Sequence, residues 1–374
     1  MGRNAVTKTN DLLTLTATGL YCPPGDFHID AMRPSPRNLV THAHGDHARA
    51  GHGAVLATAE TLDIMAMRLG ADFCGTRQVA AYGVPQRVGD VTVSFHPAGH
   101  ILGSAQIAIE QDGFRVIVSG DYKRAFDPTC PGFEVVHCDA FVTEATFGLP
   151  IFAFPDAGDE VARLFASLAM FPERTHVVSA YSLGKAQRLM ALIRRAGYDR
   201  PVWQHGATAR VAGYYTDAGI DLGDIRLAEA ATPAELAGQI VIGPPAAVKG
   251  SWSARFNDPL IVGASGWMQV RARARQTGVQ LPLVVSDHAD WPALCATVLA
   301  TGCSELWVTH GETEALVHWA QLQGIEARPL DLIGYGDEEA EPDAAQTDAA
   351  QTDAAQPDAA QPDAATPVDA LPAG

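Results

Sequence analysis

The 374-residue sequence has no apolar run approaching the roughly 20 residues that a membrane-spanning helix needs. That argues against a membrane partner. Its six cysteines, at 22, 74, 130, 138, 295 and 303, include no Cys-x-x-Cys pair and form no short disulfide framework. Residues Met1 to Asp11 are polar and lack the apolar stretch of a secretory signal, so a cytoplasmic chain with reduced thiols is expected. Neither a Walker-type loop nor a dinucleotide glycine fingerprint occurs, which argues against nucleotide-driven chemistry. Positive charge is scarce: 26 Lys and Arg stand against 43 Asp and Glu, a net charge of −17. What remains is a core-forming composition, 47% hydrophobic and 18% charged, with a mean hydropathy of +0.01, which excludes wholesale disorder.

The negative charge is unevenly placed. Ten acids and no bases lie from Asp337 onward, so residues 1–336 carry 33 acids against 26 bases, a net of −7. Such a body does not hold nucleic acid by bulk charge. A local basic groove stays open, because salt screens charges beyond about 10 Å. Asp343, Asp348, Asp353, Asp358 and Asp363 recur every five residues, a period that fits neither helix nor strand, and prolines interrupt it. Residues 337–374 therefore read as a disordered acidic repeat tail.

Before the tail, strand and helix signals alternate, which indicates an α/β fold. Val91, Val93 and Phe95 keep a period of two, and 106–109 with 115–118 flank an Asp112-Gly113 turn. Further short strands are expected at 38–40, 140–142, 177–179, 283–285 and 306–308. Helices are expected from Val161, Leu164, Phe165 and Leu168, and over 184–195.

The chemistry sits where strands stop. His42, His44, Asp46 and His47 put four ligand-type side chains within six positions after Val40. Residues i and i+2 on an extended segment point to the same side, so His42 and His44 can share one cation while Asp46 and His47 address a point nearby. His100, Asp121 and His310 end further apolar runs, each beside a glycine that permits a tight turn. Seven such side chains suffice for two adjacent divalent metals, which supply a water-derived nucleophile at neutral pH.

The order of the His-x-His-x-Asp-His cluster, His100 and Asp121 resembles the metallo-β-lactamase fold. The stretches Thr143 to Gly148, Ser286 to Asp290 and Thr309 to Glu312 resemble the extra motifs of the β-CASP nucleases. Pro97 to Ser104, Ser119 to Lys123, Ser182 to Gln187, Lys249 to Trp252 and Ala264 to Met268 resemble the bacterial ligase-associated DNA exonucleases, a group also labelled mRNA 3′-end processing factors. The resemblance covers residues 12–335. It implies an αββα sandwich, residues 1–149 and 284–336, with an inserted α/β β-CASP domain at 150–283. It further implies that His42, His44 and His100 hold one Zn2+, that Asp46, His47 and His310 hold another, and that Asp121 bridges, with Mn2+ as an alternative. Asp46 is carried over as catalytic too. Asp30 would support the cluster from behind, and Glu144 would orient His288 as the general acid.

The activity implied is exonucleolytic hydrolysis of single-stranded or end-bearing DNA in repair, beside an ATP-dependent DNA ligase and a helicase. An RNA-processing nuclease is the alternative, because His310 matches the histidine that accompanies RNA substrates among eukaryotic relatives. A small-molecule hydrolase would leave a domain of this size before His288 without purpose, and a scaffold would not retain all seven ligands. Ser182, Lys185 and Lys249 are expected to face substrate phosphates, with Arg188 and Arg271, Arg273 and Arg275 as further cations. Trp203, Trp252 and Trp267 are expected in the core. His28, His52, His96, His137, His176, His205 and His318 are expected to be structural.

Overall fold

A computed structural model describes residues 9–330, so the acidic repeat lies outside the described residues. Three sheets organise the described residues. The first has six strands, from Thr14–Thr16 to Cys74–Val79. The second has seven, and its central strands are Ala105–Gln111, Phe114–Val118, Ala140–Ala145 and Glu305–Gly311. The expected hairpin closes through Asp112 and Gly113, both at positive φ, the backbone that a two-residue turn requires.

Strand periodicity explains how these sheets pack. Ile107, Ile109, Val116, Val118, Val142 and Trp307 point one way and meet Phe27, Ile29, Leu39 and Leu56 of the first sheet in a common core. Their neighbours Ala108, Ile117, Phe141, Leu306 and Val308 point the other way, onto helices Trp291–Thr301 and Thr313–Leu322. Helix Ala59–Leu69 follows the strand His52–Ala57 of the first sheet, completing an αββα sandwich.

The third sheet is parallel, with six strands between His176–Ser179 and Leu281–Leu283. It lies between Ala140–Ala145 and Glu305–Gly311 in the chain, yet those two strands are hydrogen-bonded neighbours. The chain thus leaves the second sheet, builds another, and returns to the adjacent position. Val178, Ile240, Ile242 and Val262 face helices Ala157–Met170 and Lys185–Arg195. Val161 and Leu164 are fully buried there, each side chain stabilising the fold by about 1.5–3 kcal/mol.

Two expected elements sit differently. The strand placed at 283–285 is Leu281–Leu283, because the Val284 N–H leaves the ladder and donates to Glu160 Oε2 at 2.7 Å. Gly184 precedes its helix with φ 86° instead of joining it. Among the described residues, no helix is long and apolar enough to cross a membrane.

Candidate metal centre

Each cluster residue is placed by a strand end. Asp30 follows the strand Phe27–Ile29 with φ 47°, and its carboxylate accepts from Thr41 N (2.8 Å) and Thr41 Oγ1 (2.6 Å), pinning the start of the His42 loop. The N–H groups of His100 and Ile101 both donate to Ser104 Oγ, at 3.1 and 3.2 Å. Gly120, at φ 55°, turns the chain after Val118 so that Asp121 faces inward; a Cβ there would lie 2.6 Å from Thr41 Cβ. His310 is an extra residue in its strand: Glu144 pairs with Thr309 and Ala145 with Gly311, so the ladder skips it. This bulge, at φ 58°, sets the His310 ring 5.2 Å from that of His47.

The fold brings all seven side chains to one place. Ligand atoms of His42, His44, His100 and Asp121 lie within 4.8 Å of one another, and so do those of His42, Asp46 and His47. Asp121 Oδ2 is 3.4 Å from His42 Nε2 and 3.7 Å from His100 Nε2, while Oδ1 is 3.4 Å from His47 Nε2. His310 belongs to neither set of four or three and approaches through His47.

The donor chemistry fits a divalent cation. His42 Nε2 is buried without a hydrogen-bond partner. His44 Nδ1 and His100 Nε2 face each other at 3.0 Å, while their outer nitrogens lie beside carbonyls. Protons on both outer nitrogens leave two lone pairs converging, an arrangement that a cation relieves. Burial drives His42 well below the ordinary imidazole range, and burial with neighbouring imidazoles takes His100 to about 3. Burial opposes charge on His47, but Asp121, Asp46 and Asp30 outweigh it and hold the ring well above its usual value.

Beside the cluster, His288 Nδ1 is 2.9 Å from Glu144 Oε2, and the other Glu144 oxygen accepts from Tyr122 N at 2.7 Å. Burial would lower the His288 pKa, but the charges of Glu144 and Asp121 raise it to about 10. Ligand-type atoms of Asp121, Glu144 and His288 also lie within 4.8 Å of one another, so the pair adjoins the centre. Asp290 is the N-cap of the following helix, accepting from Ala293 N at 3.0 Å.

No family model matches the chain. It is 29% identical over 317 residues to a "Probable DNA ligase" of Opitutus terrae, covering 83% of this chain and 30% of that protein. It is 28% identical over 123 residues to "Endoribonuclease YSH1" of Gibberella zeae, covering 30% of this chain and 14% of that one. The chain thus spans less than a third of the length of either relative. A protein of unknown function from Enterococcus faecalis V583 shares the fold with a TM-score of 0.50 at 14% identity, over 73% of this chain and 74% of its own. The chain carries the metallo-β-lactamase fold with a β-CASP insertion.

The β-CASP sheet changes the reading of the presumed phosphate contacts. Ser182 and Lys185 are buried, and Lys185 Nζ pairs with Asp287 Oδ1 at 3.1 Å. The N–H groups at that helix start are also engaged: Gly184 N donates to Gln187 Oε1 (2.8 Å) and Ala186 N to the Tyr181 carbonyl (3.0 Å). Lys185 is turned inward, toward Asp287, and the Ser182 carbonyl accepts from Gln187 Nε2 at 2.9 Å. Arg188 is buried too, 3.3 Å from Asp127. Lys249 is exposed beside a cavity of about 130 Å3 that Trp267 and Arg273 also line. Arg271 and Arg275 are exposed. Trp267 packs on Phe147 and Trp252 on Phe256, while Trp203 joins the core face of the β-CASP sheet.

Sequence reasoning missed the cleft beside His288. It measures about 360 Å3, and its wall includes the exposed Arg124 and Arg195 with Lys123. Burial and the nearby Arg188 lower the Lys123 pKa to about 7. Arg124 and Arg195, 71 positions apart, give no local pattern to find. None of the other histidines enters the cluster. His205 serves as an N-cap, accepting from Ala207 N at 3.0 Å.

Proposed function

We propose that this chain is a two-zinc exonuclease acting on DNA ends, with His42, His44 and His100 on one ion, Asp46, His47 and His310 on the other, and Asp121 between them. The observation that carries the reading is the His288–Glu144 pair adjoining the His/Asp cluster and opening on a cleft with exposed arginines. When bound, two divalent cations supply a nucleophile from water at neutral pH and neutralise charge on phosphate oxygens. His288 donates its proton to the departing ribose oxygen, while Glu144 holds the ring through Nδ1. Arg124 and Arg195 hold strand phosphates along the cleft, and Lys249 touches a more distant one.

Residues 150–283 form the β-CASP domain in this reading and supply one wall of the cleft beside His288. A DNA ligase as partner draws on the Opitutus terrae protein, where the similar segment belongs to a chain named for DNA ligation, while the place in repair beside a helicase rests on the motif resemblance alone. The five imidazoles of the donor set suit Zn2+, and the two carboxylates, Asp46 and Asp121, make Mn2+ the alternative ion. Six free cysteines suit the reducing cytoplasm.

RNA is the second reading, favoured by the similarity to a protein named as an endoribonuclease. The deciding experiment incubates purified chain, loaded with zinc or manganese or stripped by chelator, with matched DNA and RNA strands blocked at either end. Metal-dependent release of mononucleotides from DNA supports the first reading. Preferential RNA cleavage supports the second. No hydrolysis of either by metal-loaded protein overturns both.

A further inference from the structure

The segment from Ser182 to Lys185 is turned toward the cluster. The Leu183 carbonyl lies 3.3 Å from His44 Nε2. Gly184 lies so close to Ile101, the neighbour of His100, that a Cβ would come within 2.3 Å of Ile101 Cγ2. Lys185, fully buried, reaches Asp287, and the Asp287 carbonyl lies 2.9 Å from His100 Nδ1. Gln187 staples the segment from behind, accepting from Gly184 N (2.8 Å) and donating to the Ser182 carbonyl (2.9 Å).

Each of the two histidines therefore has its outer nitrogen against a carbonyl whose position depends on the β-CASP domain, His44 directly and His100 through Asp287. A carbonyl only accepts, so it selects the tautomer with a proton on that nitrogen. The inner nitrogens, His44 Nδ1 and His100 Nε2, are then left as lone-pair donors facing each other. A buried lysine paired with a buried carboxylate holds this geometry firmly, since removing one partner leaves an uncompensated charge in a low-dielectric interior.

We infer that Leu183, Lys185 and Asp287 form a positioning bridge through which seating of the β-CASP domain sets the ring tautomers of His44 and His100. The metal centre is then complete only when that domain is docked. This rests on the reading of the cluster as a metal centre, and it assigns the segment to the support of metal ligands in place of substrate.

The test uses the full chain with Lys185→Met, Lys185→Arg and Gln187→Leu. Co2+ binding is followed by chelator competition and by the visible spectrum, and folding by far-ultraviolet circular dichroism. Lys185→Met is expected to weaken one cobalt equivalent by about 10- to 100-fold and alter its visible bands, the range seen when outer partners of metal ligands are removed. Lys185→Arg is expected to restore most of that affinity, and Gln187→Leu to lie between. If Lys185→Met fails to fold, Gln187→Leu decides. A folded variant with wild-type cobalt affinity and spectrum overturns the bridge. Should the wild-type chain bind no cobalt, the reading of the cluster as a metal centre fails. The bridge is then decided separately by nitrogen–proton correlations of the two rings in metal-free protein. Retention of the His44 and His100 tautomers in the variants overturns it, and their loss supports it.

Discussion

Asp30 Oδ2 lies 2.7 Å from His47 Nδ1, while the same carboxylate also takes both donors of Thr41. One buried side chain thus fixes the His47 ring and the entry to the His42 loop. Asp30→Asn keeps the shape but removes the charge and half of the acceptor capacity. It is expected to weaken metal binding by about 10- to 100-fold with little change in secondary structure, as measured by chelator competition. Unchanged affinity would show that His47 is oriented without Asp30.

The cluster was legible because strand ends mark themselves locally: an apolar run, then a ligand-type side chain with a glycine beside it. His100, Asp121 and His310 each carry that signature. The apolar runs Ile107 to Ile109 and Val116 to Val118, flanking the Asp112-Gly113 turn, likewise mark strands, and both of their faces are buried. Three-residue strands such as Thr14–Thr16 and Gln86–Val88 are too short to show a period. The role of Lys185 was illegible for another reason. A lysine at a helix start reads as a surface charge until Asp287, about a hundred positions away, is seen to face it. Charge pairing across such separations leaves no trace in local sequence.

The His288–Glu144 pair predicts a pH profile. Burial lowers the His288 pKa but the Glu144 and Asp121 charges lift it to about 10, so the ring keeps its proton through the neutral range. As general acid it would fail only as pH rises toward that value. Glu144→Gln removes the largest lifting charge, so the alkaline limb of the rate should move to lower pH. His288→Ala should lower turnover by about 10²- to 10⁴-fold with metal content intact. Steady-state rates between pH 6 and 10 check both, and a Glu144→Gln profile superimposable on wild type would remove the assignment.

Metal-free protein should lose stability on acidification. Burial, with neighbouring imidazoles, lowers His100 and His310 to about 3, so below the ordinary imidazole pKa of about 6.5 these rings stay neutral when folded and take protons when unfolded. The unfolded state then binds more protons, and stability rises with pH across that window. Glu144, raised by burial, opposes this above its ordinary range, and His47 and His288, raised by neighbouring carboxylates, oppose it chiefly above about 6.5, whereas the buried His42 joins the two lowered rings inside the window. Thermal melts of chelated protein at pH 7 and pH 5 should show the lower midpoint at pH 5. Equal midpoints would contradict the burial of these imidazoles.

Gly120 makes a backbone prediction. At φ 55° any side chain costs about 1–2 kcal/mol, and a Cβ would also press on Thr41 Cβ and Oγ1 at 2.6 Å. Thr41 is the residue that Asp30 holds, so the displacement passes to the His42 loop on one side while Asp121 shifts on the other. Gly120→Ala should therefore lower the thermal midpoint by several degrees and weaken metal binding together, a pairing that distinguishes it from an ordinary surface substitution. Calorimetry and metal titration on the same preparation check it. A loss of stability without a loss of metal affinity would mean that the turn supports the fold alone and leaves Asp121 in place.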